Sequence, residues 1–143
     1  MTILITGASG NLGSQILDFL IQWNDPSTII ATSRDQSKAA MFESQKVQFR
    51  KADFNKPDTL IAAFANVDKL MIISTMDYDS DARIKAQKNA IDAAVASKVR
   101  HVYYTSGAFG GYGNNSKVHI QQADYATEES LKAYISLCNC GWR

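Results

Sequence analysis

A glycine-rich turn follows the first apolar run of this chain and constrains its fold more than any other feature. Residues 2–6 read Thr-Ile-Leu-Ile-Thr, and residues 7–13 read Gly-Ala-Ser-Gly-Asn-Leu-Gly. An amphipathic segment begins inside the second stretch, so the pattern predicts a strand, a turn and a helix in succession. Free N–H groups and the helix dipole at such a helix start attract phosphates. The turn therefore predicts a dinucleotide-binding site, and the alternative is a tight turn that only packs.

The positions within the turn have separate expected roles. Gly7 allows the chain to reverse sharply, Gly10 leaves room for a pyrophosphate, and Gly13 lets the new helix pack close to the sheet. Ser9 and Asn11 add side chains that can donate hydrogen bonds to the phosphates.

Apolar runs and helical periodicities alternate along the rest of the chain. The predicted strands are 2–6, 28–32, 47–51, 70–74 and 101–105, and the predicted helices are 11–23, 36–44, 57–64, 81–97 and 128–134. This alternation implies parallel βαβ units with right-handed crossovers. Together with the glycine turn it predicts an α/β, doubly wound parallel sheet (a Rossmann fold) of about five strands, with helices on both faces. One domain is expected to span residues 1–143.

Two of the predicted helices have apolar stripes that are expected to face the sheet. The stripes comprise Leu12, Ile16, Phe19, Leu20 and Trp23 in the first helix, and Ile84, Ala90, Ile91, Ala94 and Val95 in the fourth.

A basic residue stands at the end of the second strand, where an NAD site usually has a carboxylate for the ribose 2′-hydroxyl. Arg34 occupies this position and Lys38 follows one helical turn later. An arginine fork suits a 2′-phosphate and also stacks on adenine, so NADP(H) is the expected cofactor. A solvated arginine on a loop is the alternative.

Other strand ends supply further candidate residues, because ligands of this fold bind at the carboxyl ends of the strands. Asp53 is a candidate acceptor for the adenine amino group and Phe54 a wall of the adenine pocket, unless Asp53 caps the next helix. Ser74 and Thr75 end the fourth strand next to the expected nicotinamide ribose, although small residues also suit simple packing there.

No catalytic residue is assigned from the sequence. Tyr112 and Lys117 are one residue further apart than the Tyr-x-x-x-Lys pair of many short-chain dehydrogenases. That pair needs both side chains on one helix face, and the glycine-rich stretch around Tyr112 is typical of a loop.

The composition excludes several functional classes. The formal net charge is +1, so no global field favours nucleic acid or an anionic membrane. No apolar run is long enough to span a bilayer, and no membrane contact is expected. Cys138 and Cys140, the only cysteines, are expected to be reduced, and no metal site is predicted. A cytoplasmic location is expected, because no targeting segment precedes the first strand.

These residues together resemble the NmrA-like family, atypical relatives of the short-chain dehydrogenases/reductases. The resemblance rests on residues 3–13, on 31–34 through Lys38, and on 52–54, 70–74, 102–106 and 126–133. It implies NADPH binding by Gly7, Gly10, Asn11, Leu12, Arg34 and Lys38. For the quinone reductases of the family it implies hydride transfer to a quinone or related carbonyl acceptor. The family also contains a redox-sensing regulator, so a nucleotide-sensing module that binds a protein partner without catalysis is the alternative.

Family members usually run to roughly twice the length of this chain. We therefore expect the chain to correspond to the N-terminal NAD(P)-binding part, without the substrate-side region. The absence of a sixth strand would leave the fifth strand at the sheet edge. That strand carries little charge, and self-association through it is expected.

Overall fold

The computed structural model of the 143-residue chain describes residues 1–107 and 117–138. Five parallel strands form one sheet in the order β3-β2-β1-β4-β5. The strands are β1 Ile3–Ile5, β2 Ile29–Ser33, β3 Gln48–Lys51, β4 Lys69–Ile72 and β5 His101–Tyr104. The helices are α1 Asn11–Trp23, α2 Ala39–Ser44, α3 Pro57–Phe64, α4 Ser80–Ala96 and α5 His119–Cys138, and short 3₁₀ turns cover Pro26–Thr28 and Gln36–Lys38. The predicted doubly wound α/β fold is confirmed.

Helices lie on both faces of the sheet and form two apolar cores. One core joins alternate strand residues such as Leu4 and Leu70 to side chains of α3, α4 and α5. The other joins Ile5 and Ala31 to Leu17 of α1 and Phe42 of α2. Each parallel strand alternates its side chains between the two cores, and for that reason the central strands are apolar on both faces.

The prediction that the apolar stripe of α1 faces the sheet is wrong for three of its five residues. Leu12, Phe19 and Trp23 are exposed, whereas Gly13 and Leu17 are buried and Ile16, Leu20 and Ile21 are half-buried. Both sets of residues have helical spacing, so periodicity alone could not distinguish them. Gly13 decides between them, because only its missing side chain allows α1 to lie against the preceding turn.

The inward face of α4 is also more polar than predicted. Ala90, Ile91 and Ala94 are buried as expected and Ile84 is half-buried, but Val95 is 41% exposed. Arg83 and Gln87 are buried instead, at the same helical spacing. Their burial depends on partners from other elements that the sequence of α4 does not reveal.

The last helix begins nine residues earlier than predicted, at His119 rather than at residue 128. Its added turns bury Ala123, Asp124 and Thr127, followed by Leu131. Asp124 and Thr127 in this row are polar, so the sequence does not show a continuous apolar stripe. Helix α5 is stabilised by its contacts with α4. The strand bounds, by contrast, differ from the predictions by one or two residues.

Among the described residues, β5 pairs only with β4, so it forms one edge of the sheet as expected from the strand order. Self-association through this edge stays a prediction. None of the helices in residues 1–107 and 117–138 combines the length and apolar character needed to cross a bilayer.

Candidate functional site

The glycine turn is held between two strands at their carboxyl ends. The N–H of Ala8 donates to the carbonyl of Thr32 in β2 over 3.0 Å. The N–H of Ile73, just after β4, donates to Thr6 Oγ1 over 2.9 Å. Gly7 adopts φ +60°, a left-handed conformation that favours glycine, and so has the predicted role in the turn. Bonds to β2 and β4 therefore hold the turn on both sides.

The start of α1 faces this turn without a side-chain cap. Gly10 is the N-cap residue and its N–H donates to the carbonyl of Gly7 over 3.0 Å. The first turn of α1 contains no acidic residue. The positive end of the helix dipole and the free N–H groups of the first turn are therefore available to an anion.

Gly13 brings α1 unusually close to the turn. A Cβ atom at this position would lie 2.2 Å from the Gly7 carbonyl oxygen and 2.8 Å from Ala8 Cα. Both are backbone atoms with little freedom to move. Gly13 thus sets the distance between the start of α1 and the glycine turn. The backbone atoms that approach Gly13 most closely belong to this turn.

A cleft of about 480 Å³ opens beside the turn. Its lining includes eight of the predicted site residues, namely Gly7, Ser9, Gly10, Arg34, Asp53, Phe54, Ser74 and Thr75. It does not include Asn11, Leu12, Gly13 or Lys38. Sequence reasoning missed Thr32, Asn55, Ile73, Met76 and Asp77, which also line the cleft. Their positions beside strand ends are the signal that could have found them.

The end of β2 presents Arg34 to the cleft with its side chain exposed. No carboxylate of the described residues forms an ion pair with Arg34. The next residue, Asp35, accepts a hydrogen bond from the N–H of Ser37 over 2.9 Å. The pKa of the Asp35 carboxyl lies below its usual range, because the hydroxyl and the N–H of Ser37 donate to it. The nearby acid is therefore engaged in a local turn and does not line the cleft.

Asp53 and Phe54 form the far wall of the cleft after β3. Asp53 Oδ1 accepts from the N–H of Asn55 over 3.0 Å, and the N–H of Asp53 donates to Thr59 Oγ1 over 3.0 Å. These bonds stabilise the turn that leads into α3, although Asp53 is not the N-cap residue of that helix. The Phe54 carbonyl accepts from Asn89 Nδ2 of α4 over 2.8 Å. Both residues thus line the cleft and support local structure.

Ser74 and Thr75 lie where the end of β4 meets the end of β5. The N–H of Ser74 donates to Thr105 Oγ1 over 2.9 Å. Thr75 Oγ1 is buried and has no hydrogen-bond partner among the described residues. A buried hydroxyl without a partner is costly, so Thr75 is suited to hydrogen bonding with a molecule in the cleft.

A buried polar cluster that the sequence did not predict lies behind β5. Asp124 of α5 accepts from Arg83 Nη2 over 3.0 Å and from the Tyr104 hydroxyl over 2.8 Å, and its second oxygen accepts from the N–H of Gly107 over 3.1 Å. The Tyr104 hydroxyl also contacts Gln87. Burial and the hydrogen bond to Asp124 raise the pKa of the Tyr104 phenol above its usual range. The cluster fixes the chain just after β5, beside the cleft.

The predicted catalytic alternative cannot be placed in this geometry. Tyr112 lies outside the described residues, and so do Cys140 and most of the glycine-rich loop. Lys117 is described and exposed ahead of α5. In the described part of the chain, no tyrosine, lysine or histidine lines the cleft.

Comparison with known proteins agrees with this architecture. An NmrA-like family domain-containing oxidoreductase of Aspergillus flavus is 42% identical over 134 residues, which cover 92% of this chain and 44% of that protein. The Citrobacter sp. triphenylmethane reductase complexed with NADP(H) matches with a TM-score of 0.88 and 34% identity, over 94% of this chain and 46% of that one. The Escherichia coli NADPH-dependent quinone oxidoreductase complexed with NADPH matches with a TM-score of 0.83 and 30% identity, over 93% and 45%. The chain spans a little under half the length of these relatives.

The family resemblance seen in the sequence is therefore confirmed. The model of the NmrA-like family matches residues 1–135, which include the glycine turn, every described residue that lines the cleft, and most of α5. By this match, the chain belongs to the NmrA-like family.

Proposed function

We propose that this chain is the NADP(H)-binding domain of an oxidoreductase whose complete form reduces quinones or related carbonyl acceptors. The observation that carries the proposal is one shared cleft. The uncapped start of α1 and the unpaired guanidinium of Arg34 border the same 480 Å³ space. A diphosphate suits the first feature, and a further phosphate suits the second.

The residues present fit this cofactor at each end of the cleft. Gly10 faces the cleft without a side chain, and a Cβ there would already lie 3.3 Å from the Gly7 oxygen. Arg34 would hold a 2′-phosphate, with Lys38 adding positive charge from outside the lining. Asp53 and Phe54 would border the adenine, and Ser9 would donate to a phosphate oxygen.

The roles of three predicted residues outside the cleft lining are less direct. Asn11 and Leu12 would offer their backbone N–H groups from the first turn of α1. Gly13 would act by setting the separation of α1 from the turn, since its contacts are with the backbone of Gly7 and Ala8.

The nicotinamide end would lie toward Ser74 and Thr75. Thr75 Oγ1 is the one buried hydroxyl in the described lining without a partner, and a carboxamide or ribose hydroxyl would satisfy it. When bound, the cofactor supplies the hydride, and the residues of this chain orient it and exclude water on one side. The names of the relatives support an acceptor such as a quinone or a dye. We assign no catalytic side chain.

The proposal is tested by titrating NADPH into the purified chain and its Gly10→Val variant. A branched side chain at residue 10 would occupy the space beside the turn, so the variant is expected to lose NADPH binding. Circular dichroism checks that the variant is folded. A folded Gly10→Val protein with unchanged NADPH affinity would refute the site.

A second measurement addresses activity. NADPH oxidation is followed with a panel of quinones and aromatic carbonyl compounds. Turnover supports the oxidoreductase. Tight NADPH binding without turnover supports either a nucleotide-sensing module or an inactive part of a longer oxidoreductase, and a pull-down with and without NADPH would distinguish the two.

A further inference from the structure

A single carboxylate holds the chain on both sides of Thr105, at the carboxyl end of β5. Asp124 Oδ1 accepts from the Tyr104 hydroxyl over 2.8 Å, and Asp124 Oδ2 accepts from the N–H of Gly107 over 3.1 Å. The same Oδ1 accepts from Arg83 Nη2 over 3.0 Å, so α4 is joined to the same point. Asp124 is 1% exposed and Arg83 is 5% exposed, so these bonds are shielded from water. The position of Thr105 is therefore fixed by a carboxylate that comes from α5.

Thr105 in turn holds the part of the cleft lining that follows β4. Thr105 Oγ1 accepts from the N–H of Ser74 over 2.9 Å, and the N–H of Thr105 donates to the carbonyl of Ile72 over 3.1 Å. Ser74 and the following Thr75 both line the cleft. A short chain of hydrogen bonds thus connects Asp124 to the lining residues at the proposed nicotinamide end.

Helix α4 provides a second connection between the buried cluster and the cleft. Ala86 lines the cleft, and it lies three residues after Arg83 and one residue before Gln87 on the same helix. Arg83 is bonded to Asp124, and Gln87 contacts the Tyr104 hydroxyl. The cluster therefore holds α4, as well as the end of β5, beside the cleft.

The cluster is poorly suited to stabilising the fold alone. Arg83 Nε and Gln87 Nε2 are buried and have no hydrogen-bond partner among the described residues. Each such N–H group costs free energy, and a buried ion pair is often no more stable than apolar side chains of similar volume. Hydrogen bonds do supply direction, however, because they have strict geometry whereas apolar contacts do not. The cluster therefore suits a role in placing the residues beside the cleft.

We propose that Asp124 is a positioning residue, which holds Ser74 and Thr75 in place for the nicotinamide half of the cofactor. The proposal rests on the function proposed above, because it requires a dinucleotide in the cleft. Asp124 is not among the described residues that line the cleft, and it acts through Thr105. The adenosine half would be bound at the other end of the cleft, by Arg34 and the glycine turn. Loss of the Asp124 contacts should therefore affect one half of the cofactor and spare the other.

The test compares the binding of two ligands by calorimetry. NADPH contains both halves of the dinucleotide, whereas adenosine 2′,5′-bisphosphate contains only the half that carries the 2′-phosphate. A variant that loosens the whole fold weakens the binding of both ligands, whereas a variant that displaces the nicotinamide contacts weakens NADPH binding alone. The ratio of the two affinities therefore separates positioning from a general structural role.

Asp124→Asn is the informative variant, because an amide has one acceptor oxygen where the carboxylate has two. Arg83 and the Tyr104 hydroxyl both donate to Oδ1, so we expect the amide oxygen to remain there and the amide NH₂ to face the N–H of Gly107. Two donors then oppose each other, and the bond after β5 is lost. The Kd of NADPH should rise about tenfold, as for the loss of one hydrogen bond to a charged group, and the Kd of the bisphosphate should stay almost unchanged.

Gly107→Ala disturbs the same bond from its other end. A Cβ atom at residue 107 would lie 3.0 Å from Asp124 Oδ2, while the ion pair with Arg83 is left intact. This variant should reproduce the selective loss of NADPH affinity even if circular dichroism shows that Asp124→Asn does not fold. Glu129→Gln is the matched control, since it makes the same acid-to-amide change on α5 at an exposed ion pair with Lys132. The control should change neither affinity.

Selective weakening of NADPH binding by the folded variants, with the control unchanged, supports the positioning role. Folded variants that bind NADPH with wild-type affinity would overturn it. Equal weakening of both ligands would also overturn it, since the cluster would then serve the fold alone. A wild-type chain that binds neither ligand would refute the proposed function itself, and the positioning role with it.

Discussion

Replacing Arg34 by alanine should change cofactor preference rather than abolish binding. Arg34 is exposed at the cleft and unpaired among the described carboxylates, so a 2′-phosphate would not have to displace a competitor. Paired charge-assisted hydrogen bonds at such a site contribute about 1–3 kcal/mol, or roughly ten- to a hundredfold in affinity. We expect the lower part of this range, because an exposed guanidinium is screened by salt.

Calorimetric titration of NADPH and NADH measures this effect directly. Wild-type protein should bind NADPH more tightly than NADH, and the difference should shrink as salt rises. Arg34→Ala should weaken NADPH binding by about tenfold and leave NADH binding almost unchanged. Arg34→Lys should recover only part of the loss, because an ammonium lacks the planar fork.

Arg100→Ala is the matched control for this experiment. Arg100 is also an exposed arginine, but it precedes β5 at the opposite end of the strands, 3.9 Å from Asp68. Its loss removes the same charge from the protein and should not alter cofactor preference. Equal weakening of both cofactors by Arg34→Ala would mean that the side chain only stacks on adenine. A wild-type preference for NADH would refute the assignment of NADP(H).

Three further predictions concern the supports of the site. Gly13→Ala places a methyl group 2.2 Å from the Gly7 oxygen. Urea unfolding should therefore show that the free energy of unfolding falls by about 1–3 kcal/mol, and calorimetry should show weaker NADPH binding. Unchanged stability and affinity would contradict the close approach of α1 to the turn. Asp124→Ala leaves the buried Arg83 unpaired and should lower the free energy of unfolding by about 3–5 kcal/mol. The control Asp92→Ala removes an exposed ion pair and should lower the free energy of unfolding by less than about 0.5 kcal/mol. Similar losses for the two variants would show that the Asp124 cluster is not a buried network. The raised pKa of Tyr104 means that the folded state retains a proton that the unfolded state releases above about pH 10, so stability should fall there with rising pH. Tyr104→Phe should reduce that slope by up to one proton in urea titrations above pH 10, and an unaltered slope would exclude Tyr104 as its source.

The structure of the site could be anticipated only in part. Residues whose role depends on their place at a strand end were found, because parallel βαβ order puts all carboxyl ends along one edge. Eight of them line the cleft together. The arrangement of Asp35 was not anticipated, since its engagement with Ser37 depends on a local 3₁₀ turn. The unpartnered hydroxyl of Thr75 is likewise a property of the packed site.

By itself, the sequence determined the architecture of this protein. The glycine turn and the alternation of apolar runs with helical periods are local patterns, and short-range backbone preferences and the handedness of crossovers convert them into one topology. Only the tertiary structure decided which side of α1 is buried, because two apolar rows compete and the contact of Gly13 with Gly7 selects one. It also decided that Arg83 and Asp124 are buried, because these residues are 41 positions apart and can be buried only as a pair. Charges so distant in sequence become partners only when α4 and α5 pack side by side.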